Sequence, residues 1–310
     1  MIRYFEILNG LFKETQEYKN NNWIHVETPS AEDIQCLLSE YNVPQDYLND
    51  LNDIDERPRL DIDEDWTLII FRFPYQDITG EELFQTVPFG IIFSKDYFIT
   101  FSNFRIQILP DFLNHINKKK IQFKNYYELI FRLILSSSVW YLKYLKVINN
   151  QINATEKELE KSIRNKEVHK LLKLEKSLVY FYTSLKGNEN VFLKIKNSRL
   201  VKEKELDEEL IEDVFIELNQ AIETTKIHSD ILSGMMDAFA SVISNNLNNL
   251  MKKLTSISIV LMIPTLIASF YGMNVPNFGE TSNFSFLLIA LFSFTVSLSV
   301  ILFFKRKRWI

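Results

Sequence analysis

The chain has one cysteine, Cys36, in 310 residues. That excludes an intrachain disulfide framework and fits a reducing compartment. Glycine is scarce, at seven residues, and no phosphate-cradling glycine loop is present, which argues against ATP-driven work by this polypeptide. Basic residues are not in excess: the formal net charge is −5, no basic face stands out, and no nucleic-acid partner is expected. No apolar leader follows Met1-Ile2-Arg3-Tyr4-Phe5-Glu6, so the large N-terminal part shows no export signal. His25, His115, His169 and His228 have no metal-ligand spacing to one another or to Cys36. Asp61-Ile62-Asp63-Glu64-Asp65 opens like a calcium loop, but Trp66 stands where the glycine is required and Arg72 where the closing glutamate should be. No nucleophile–base arrangement emerges. The chain is not read as an enzyme, and no organic cofactor is expected.

Charge is also missing from two long stretches, Leu254–Met273 and Phe284–Phe304. Each is close to the roughly 20 residues that cross a 30 Å hydrocarbon core. Lys252-Lys253 precede the first and Lys305-Arg306-Lys307-Arg308 follow the second, while the connector has only Glu280 as a charge. Basic flanks stay on the cytoplasmic side. Both termini are therefore expected in the cytoplasm of a multi-pass protein of the cell membrane, with the connector outside.

Upstream, residues 1–122 read as a cytoplasmic α+β domain, a mixed sheet flanked by helices. Leu68–Phe73, Phe89–Phe93 and Tyr97–Phe101 are β-branched and aromatic runs, and Ser94-Lys95-Asp96 suits a hairpin turn. Ala31–Glu40, with Ser30 as N-cap, and Gln107–Asn117 suit helices. Residues 123–202 read as helical, with two long stretches between Tyr126 and Lys186, a turn at Gly187-Asn188-Glu189-Asn190 and a break near Lys196-Asn197-Ser198. Residues 203–253 read as a stalk helix: Leu210, Val214, Leu218, Ile222, Ile227 and Ile231 keep an apolar stripe. Run on to Gly272, that helix is about 100 Å long at 1.5 Å per residue. The remaining partition is a first span at 254–274, an external connector at 275–283, a second span at 284–304 and a basic tail at 305–310.

The first span has a polar face. Asn248, Thr255, Ser258, Met262, Thr265, Ser269 and Gly272 follow at steps of three, four or seven, which keeps them on one side of a helix. Spacing alone allows two roles: lining a pore, or packing of small hydroxylated residues between membrane helices. Two spans cannot enclose a water-filled path, so a pore demands a ring of identical chains. No Asp or Glu lies inside either span, which fits a hydrated-ion path better than a proton relay.

Tyr271-Gly272-Met273-Asn274 directly after a polar-striped span, then a short connector, a second span and a basic tail ending in Lys307-Arg308-Trp309, resembles the CorA family of magnesium transporters. Glu56-Arg57-Pro58-Arg59 before an acidic stretch and a strand is similar to a segment of that family's cytoplasmic domain. The resemblance implies a homopentameric funnel whose first span lines the pore. Gly272, Met273 and Asn274 would form the selectivity filter, with the ring of Asn274 carbonyls accepting hydrogen bonds from the waters that Mg2+ is reluctant to shed. Asn248, Met251, Leu254, Met262 and Thr265 would be polar rungs and hydrophobic constrictions on the pore line, and Ser269 falls where a small residue, often glycine, is found. Asp77 and Asp213 align with the cytoplasmic magnesium-sensing pair, and Glu280 with the acidic residue of the external loop. Mg2+ would thus be both cargo and regulator, with Co2+ or Ni2+ as further cargo. Its influx needs no motor, since a divalent ion gains about twice 2.3 kcal/mol per 100 mV of membrane potential. Two other readings stay open: a zinc transporter of the ZntB-like branch that shares this architecture, and a non-conducting membrane-anchored sensor.

Overall fold

The structure is a computed structural model that describes residues 1–8, 11–16, 23–76, 84–121, 123, 125–161, 165–198, 207–273, 284–307 and 309. It divides into two compact units, Met1–Ser233 and Gly234–Ile310.

The first unit is built on seven strands, β1 (Ile2–Leu8), β2 (Leu11–Thr15), β3 (Trp23–Glu27), β4 (Arg59–Ile62), β5 (Thr67–Tyr75), β6 (Gln85–Phe93) and β7 (Phe98–Ser102). They form one sheet in the order β2-β1-β3-β7-β6-β5-β4. β3 pairs with β7 in parallel and the other neighbours are antiparallel, so the sheet is mixed, as expected. The hairpin expected at Ser94-Lys95-Asp96 joins β6 to β7. β1 to β3 were not anticipated from sequence. Two of them are short and partly polar, and they gain their place by pairing with the sheet.

β5 is apolar at nearly every position, and six of its first seven residues are buried. A strand reads so when both faces of its sheet are covered. On one face lie α1 (Ala31–Ser39) and α2 (Gln45–Asn52), whose Leu37, Leu48 and Leu51 pack with Ile24, Leu68, Ile70, Ile92 and Ile99. Ser30 caps α1 through a reciprocal box with Asp33, which satisfies two otherwise orphaned N–H groups. On the other face lie α3 (Ile108–Lys119), α4 (Tyr126–Lys161) and α5 (Asn165–Asn197). Phe98 stacks on Tyr126 at 4.6 Å, and Tyr141 meets Phe181 edge-on at 5.0 Å.

The turn expected at Gly187–Asn190 is corrected: α5 runs straight through these residues. A Cβ on Gly187 would stand 2.7 Å from Cγ of Pro58, so the glycine permits close approach of the helix to the Arg57-Pro58 segment. Asn188 is fully buried. Its Nδ2 donates to the Arg72 carbonyl at 2.7 Å and its Oδ1 accepts from the Arg72 N–H at 2.9 Å. Both turn-forming residues serve packing instead. The Arg72 side chain in turn donates to the carbonyls of Ile54, Glu56 and Thr86 at 2.6–2.8 Å, and its burial lowers its pKa.

The second unit contains most of α6 (Glu208–Tyr271) and all of α7 (Ser285–Arg306). α6 has 64 residues, or about 95 Å at 1.5 Å per residue, and begins where Asp207 caps the N–H groups of Glu209 and Leu210. Both helices hold a stretch long and apolar enough to cross a membrane, of which only 6% and 11% is buried. Buried core helices of a soluble protein would be covered, so these are membrane spans.

Asn188→Ala should lower the unfolding free energy by about 1–3 kcal/mol, because it leaves the Arg72 N–H of a buried strand unpaired, while the Arg72 carbonyl keeps its bond from the Tyr141 hydroxyl at 2.9 Å. Urea unfolding of the full chain in detergent reads this directly; an unshifted midpoint contradicts it. A second expectation concerns His25, which is fully buried and whose Nδ1 lies 2.8 Å from the Thr100 hydroxyl. Among the described residues its Nε2 has no hydrogen-bond partner. Burial, with Arg3 and the terminal amino group adding to it, pushes its pKa down from 6.5 to about 3. The unfolded chain then takes up the proton first, so this contribution is intact above pH 6.5 and is lost as pH falls towards 3, with a limiting slope of about 1.4 kcal/mol per pH unit. His25→Gln should lose less stability than the parent between pH 7 and pH 5; an equal loss rules His25 out as the source.

Candidate functional site

The polar line of the first span can be followed residue by residue on α6. Met251, Leu254 and Met262 are 54%, 60% and 66% exposed, and Asn248, Thr255, Thr265, Ser269 and Gly272 are exposed as well, with Ser258 half-buried. The second span packs elsewhere. Ser256 of α6 is fully buried, Ser293, Ser297 and Phe304 of α7 are buried, and a groove between the two helices is lined by Val260, Pro264 and Ile267 from the first span. At about 100° per residue, the line through Ser258 and Thr265 lies roughly opposite Ser256. Ser258 and Thr265 therefore do not pack against the chain's own second span, although Gly272, at the end of the line, borders the groove.

Hydroxyl geometry on that line has a chemical consequence. Ser258 donates to the Leu254 carbonyl at 3.0 Å and Thr265 to the Leu261 carbonyl at 3.1 Å. With their hydrogens turned back onto the helix, the oxygens present lone pairs outward. A hydrated cation presents water hydrogens, which such a row accepts.

The helix also extends the line beyond its expected end. Ser244, Ser241 and Asp237 precede Asn248 on an uninterrupted, exposed helix. Taken with Met251, the positions 237, 241, 244, 248, 251, 255, 258, 262, 265, 269 and 272 alternate steps of four and three throughout. Sequence reading stopped at Asn248 because the residues before it lie outside the apolar segment. The alternation itself was the signal that reaches Asp237.

At the far end the helix stops at Tyr271, and the Gly272 N–H closes the last turn onto the Ala268 carbonyl at 2.9 Å. Gly272 does not adopt a left-handed φ, and a Cβ there would sit 3.3 Å from that carbonyl. Space, rather than a left-handed cap, explains the glycine. Asn274 and Glu280, and Asp77 of the first unit, lie outside the described residues.

Asp213 is exposed on the early part of α6. It lines a cavity of about 530 Å3 together with Asp111, His115, Arg132, Trp140 and Lys143. Asp111 accepts from Lys143 at 2.8 Å and from the Trp140 indole at 3.1 Å, and the Lys143 ammonium holds its carboxyl below the usual carboxylate range. Among the described residues, no three acids, histidines or cysteines gather to hold a metal ion. The acidic run at Asp61–Asp65 is engaged locally: Asp61 pairs with Arg59 at 2.6 Å, and Asp63 accepts from the Tyr47 hydroxyl.

Known proteins resemble the chain along its whole length. The cobalt/magnesium transport protein CorA of Methanocaldococcus jannaschii is 26% identical over 93% of this chain and 91% of its own. The protein of the same name from Thermotoga maritima is 22% identical over 98% of this chain and 92% of its own. Among solved structures, the complete CorA magnesium transporter of M. jannaschii superposes with a TM-score of 0.85 at 24% identity, covering 100% of this chain and 99% of that one. Two others share the fold at greater distance. Full-length CmaX has a TM-score of 0.70 at 16% identity, over 96% of both chains. The ZntB cytoplasmic domain of Vibrio parahaemolyticus has a TM-score of 0.59 at 14% identity, over 79% of this chain and 97% of that one. The family profile described as CorA-like Mg2+ transporter protein matches residues 18–306, and the chain belongs to that family.

Proposed function

We propose that the chain is a subunit of a divalent-cation channel that admits Mg2+, and Co2+ or Ni2+ with it, down the electrochemical gradient. The observation that carries this reading is the polar line of α6, exposed but for the half-buried Ser258 and turned away from the second span through Ser258 and Thr265. A row of hydroxyls and an asparagine is a poor surface to show to lipid. Only further copies of the chain can cover it while leaving it wet. The period supports the same arrangement: a 3.5-residue repeat drifts about 20° per heptad on a straight helix and stays on a common axis only in a left-handed supercoil of several helices. The resemblance to CorA transporters supports a pentameric ring.

In this arrangement Gly272, Met273 and Asn274 form the outer filter. Thr255, Ser258, Thr265 and Ser269 offer rungs to a hydrated ion, with Ser269 adding an oxygen where the family often has glycine. Leu254 and Met262, with Met251, narrow the path and close it by dewetting. Asn248 and Asp237 stand at the cytoplasmic end. Residues 1–122, 123–202 and 203–253 are cytoplasmic, 254–274 and 284–304 span the membrane, 275–283 are external with Glu280 as their acid, and 305–310 return to the cytoplasm. Asp77 and Asp213 of neighbouring copies repel one another unless Mg2+ bridges them. Falling cytoplasmic Mg2+ then loosens the ring, which requires only that the ion bind the closed state better than the open one.

Cysteine accessibility tests the pore assignment. In a Cys36→Ser background, Thr265→Cys and Ser269→Cys should react with a small charged thiosulfonate at least tenfold faster than Ser256→Cys or Ser297→Cys. Equal rates would place the polar line in lipid or protein and remove the pore.

Proteoliposome flux tests the cargo. Full-length protein should take up Mg2+ without ATP, and Asn274→Ala should lose discrimination against other cations. In the same assay Asp213→Ala should need more internal Mg2+ to close. Proton-coupled zinc flux without Mg2+ uptake would favour the ZntB-like reading, and no flux at all the sensor.

A further inference from the structure

The unit Gly234–Ile310 carries a charge imbalance that lies off the polar line. Lys252 and Lys253 precede the first span, and Lys305, Arg306 and Lys307 close the second; all five are exposed. Between Ala238 and Ile310 the sequence holds one acid, Glu280, in the connector at the opposite end of the spans. Among the described residues no ion pair neutralises any of these cations.

Their placement on the helices is specific. Taking the buried Ser256 as the mark of the side that meets the second span, Lys252 falls about 40° to one side of it and Lys253 about 60° to the other, at 100° per residue. The line through Ser258 and Thr265 is on the far side. These lysines thus flank the seam between the two spans and do not extend the pore line. On the second span, Phe304 is buried and stacks on Trp309 at 5.5 Å, whose N–H returns to the Phe304 carbonyl at 3.0 Å. At 100° per residue from the buried Ser297, Lys305 and Lys307 fall about 80° to either side of the seam. Val260 and Tyr271 of the first span and Phe286 and Ile301 of the second line the groove, and Lys253 and Lys307 lie seven and six residues beyond Val260 and Ile301.

The groove that runs away from this cluster has a volume of about 740 Å3. Val260, Pro264, Ile267, Ala290, Phe294 and Ile301 line it, an apolar wall open along the spans. A cation cluster at the water boundary over an apolar groove in the hydrocarbon matches one chemistry, an anionic headgroup on an acyl chain. Juxtamembrane lysines and arginines attract anionic lipid in this way.

We propose that the seam between the two spans is a binding site for an anionic phospholipid of the cytoplasmic leaflet. Lys252, Lys253, Lys305 and Lys307 hold the headgroup phosphate, and an acyl chain lies in the groove. Arg306, on the outer side of the second span, reaches the neighbouring lipid.

Native mass spectrometry of the full-length protein, exchanged into mixed micelles of phosphatidylglycerol and phosphatidylcholine, tests the site without measuring ion flux. Its failure is therefore distinguishable from failure of the channel reading. The parent should retain phosphatidylglycerol over phosphatidylcholine by about tenfold or more, the scale expected from several cations near one phosphate. Replacing the four lysines by glutamine should bring that ratio close to one, whereas four arginines should preserve it, which separates charge from misfolding. Ala290→Phe, which fills the groove and leaves the cluster intact, should reduce retention of both lipids severalfold. Glycerophosphoglycerol, the headgroup without chains, should not displace the lipid. Equal retention of the two lipids by the parent would overturn the proposal, as would a preference that survives the glutamine variant. So would displacement by the chain-free headgroup, which would mark a site for free phosphate. An unaffected Ala290→Phe protein would mean that a helix of another copy fills the groove, and that too overturns it.

Discussion

A polar line on a membrane helix has to be covered by something other than lipid, and the assembly read from this chain follows from that constraint. In water a row of Ser, Thr and Asn side chains is unremarkable. In hydrocarbon each outward lone pair that finds no partner is costly. The second span cannot relieve the cost, because it occupies the opposite side of the first, at Ser256. In the function proposed above, association with copies of the same helix around water meets that cost, and the strict alternation of three and four residues suits a supercoil of several such helices. The back-bonded hydroxyls of Ser258 and Thr265 make that surface an acceptor of hydrogen bonds. It suits cations that travel with their water.

The two faces of the first span thus carry separate duties, and the flanking charges respect the division. Lys252 and Lys253 lie on the seam side, away from the line that would meet the ion. A cation cluster on the pore line would repel the cargo; on the seam it faces lipid. The same residues to which the positive-inside rule gives a role in orientation are thus the ones proposed to hold anionic lipid, on the side away from the polar line.

In the first unit a comparable economy centres on Arg72. Its backbone is bonded by Asn188 and Tyr141, and its guanidinium by three carbonyls. One strand residue thereby ties the sheet to both long helices and to the loop before Arg57-Pro58. Gly187 completes the joint by letting α5 lie against Pro58.

Much was legible in the sequence because the relevant signals are local or periodic. Two uncharged runs of span length, basic flanks, the hairpin after Phe93, the Ser30 cap and the 3–4 spacing of the polar face depend only on neighbours along the chain, and Tyr271-Gly272-Met273-Asn274 is contiguous. The tertiary structure decided what depends on partners distant in sequence. Gly187 and Asn188 look like a turn until Pro58 and Arg72 are brought against them, since glycine and asparagine serve close packing and buried hydrogen bonding as readily as reversal. Strands β1 to β3 carry weak alternation and exist through their pairing. The side of the first span that meets the second could not be read from spacing, because both sides carry serine. Ser256 is buried and Ser258 belongs to the outward line; two residues apart on a helix, they stand about 160° from each other, and only the packed hairpin shows which of them faces away.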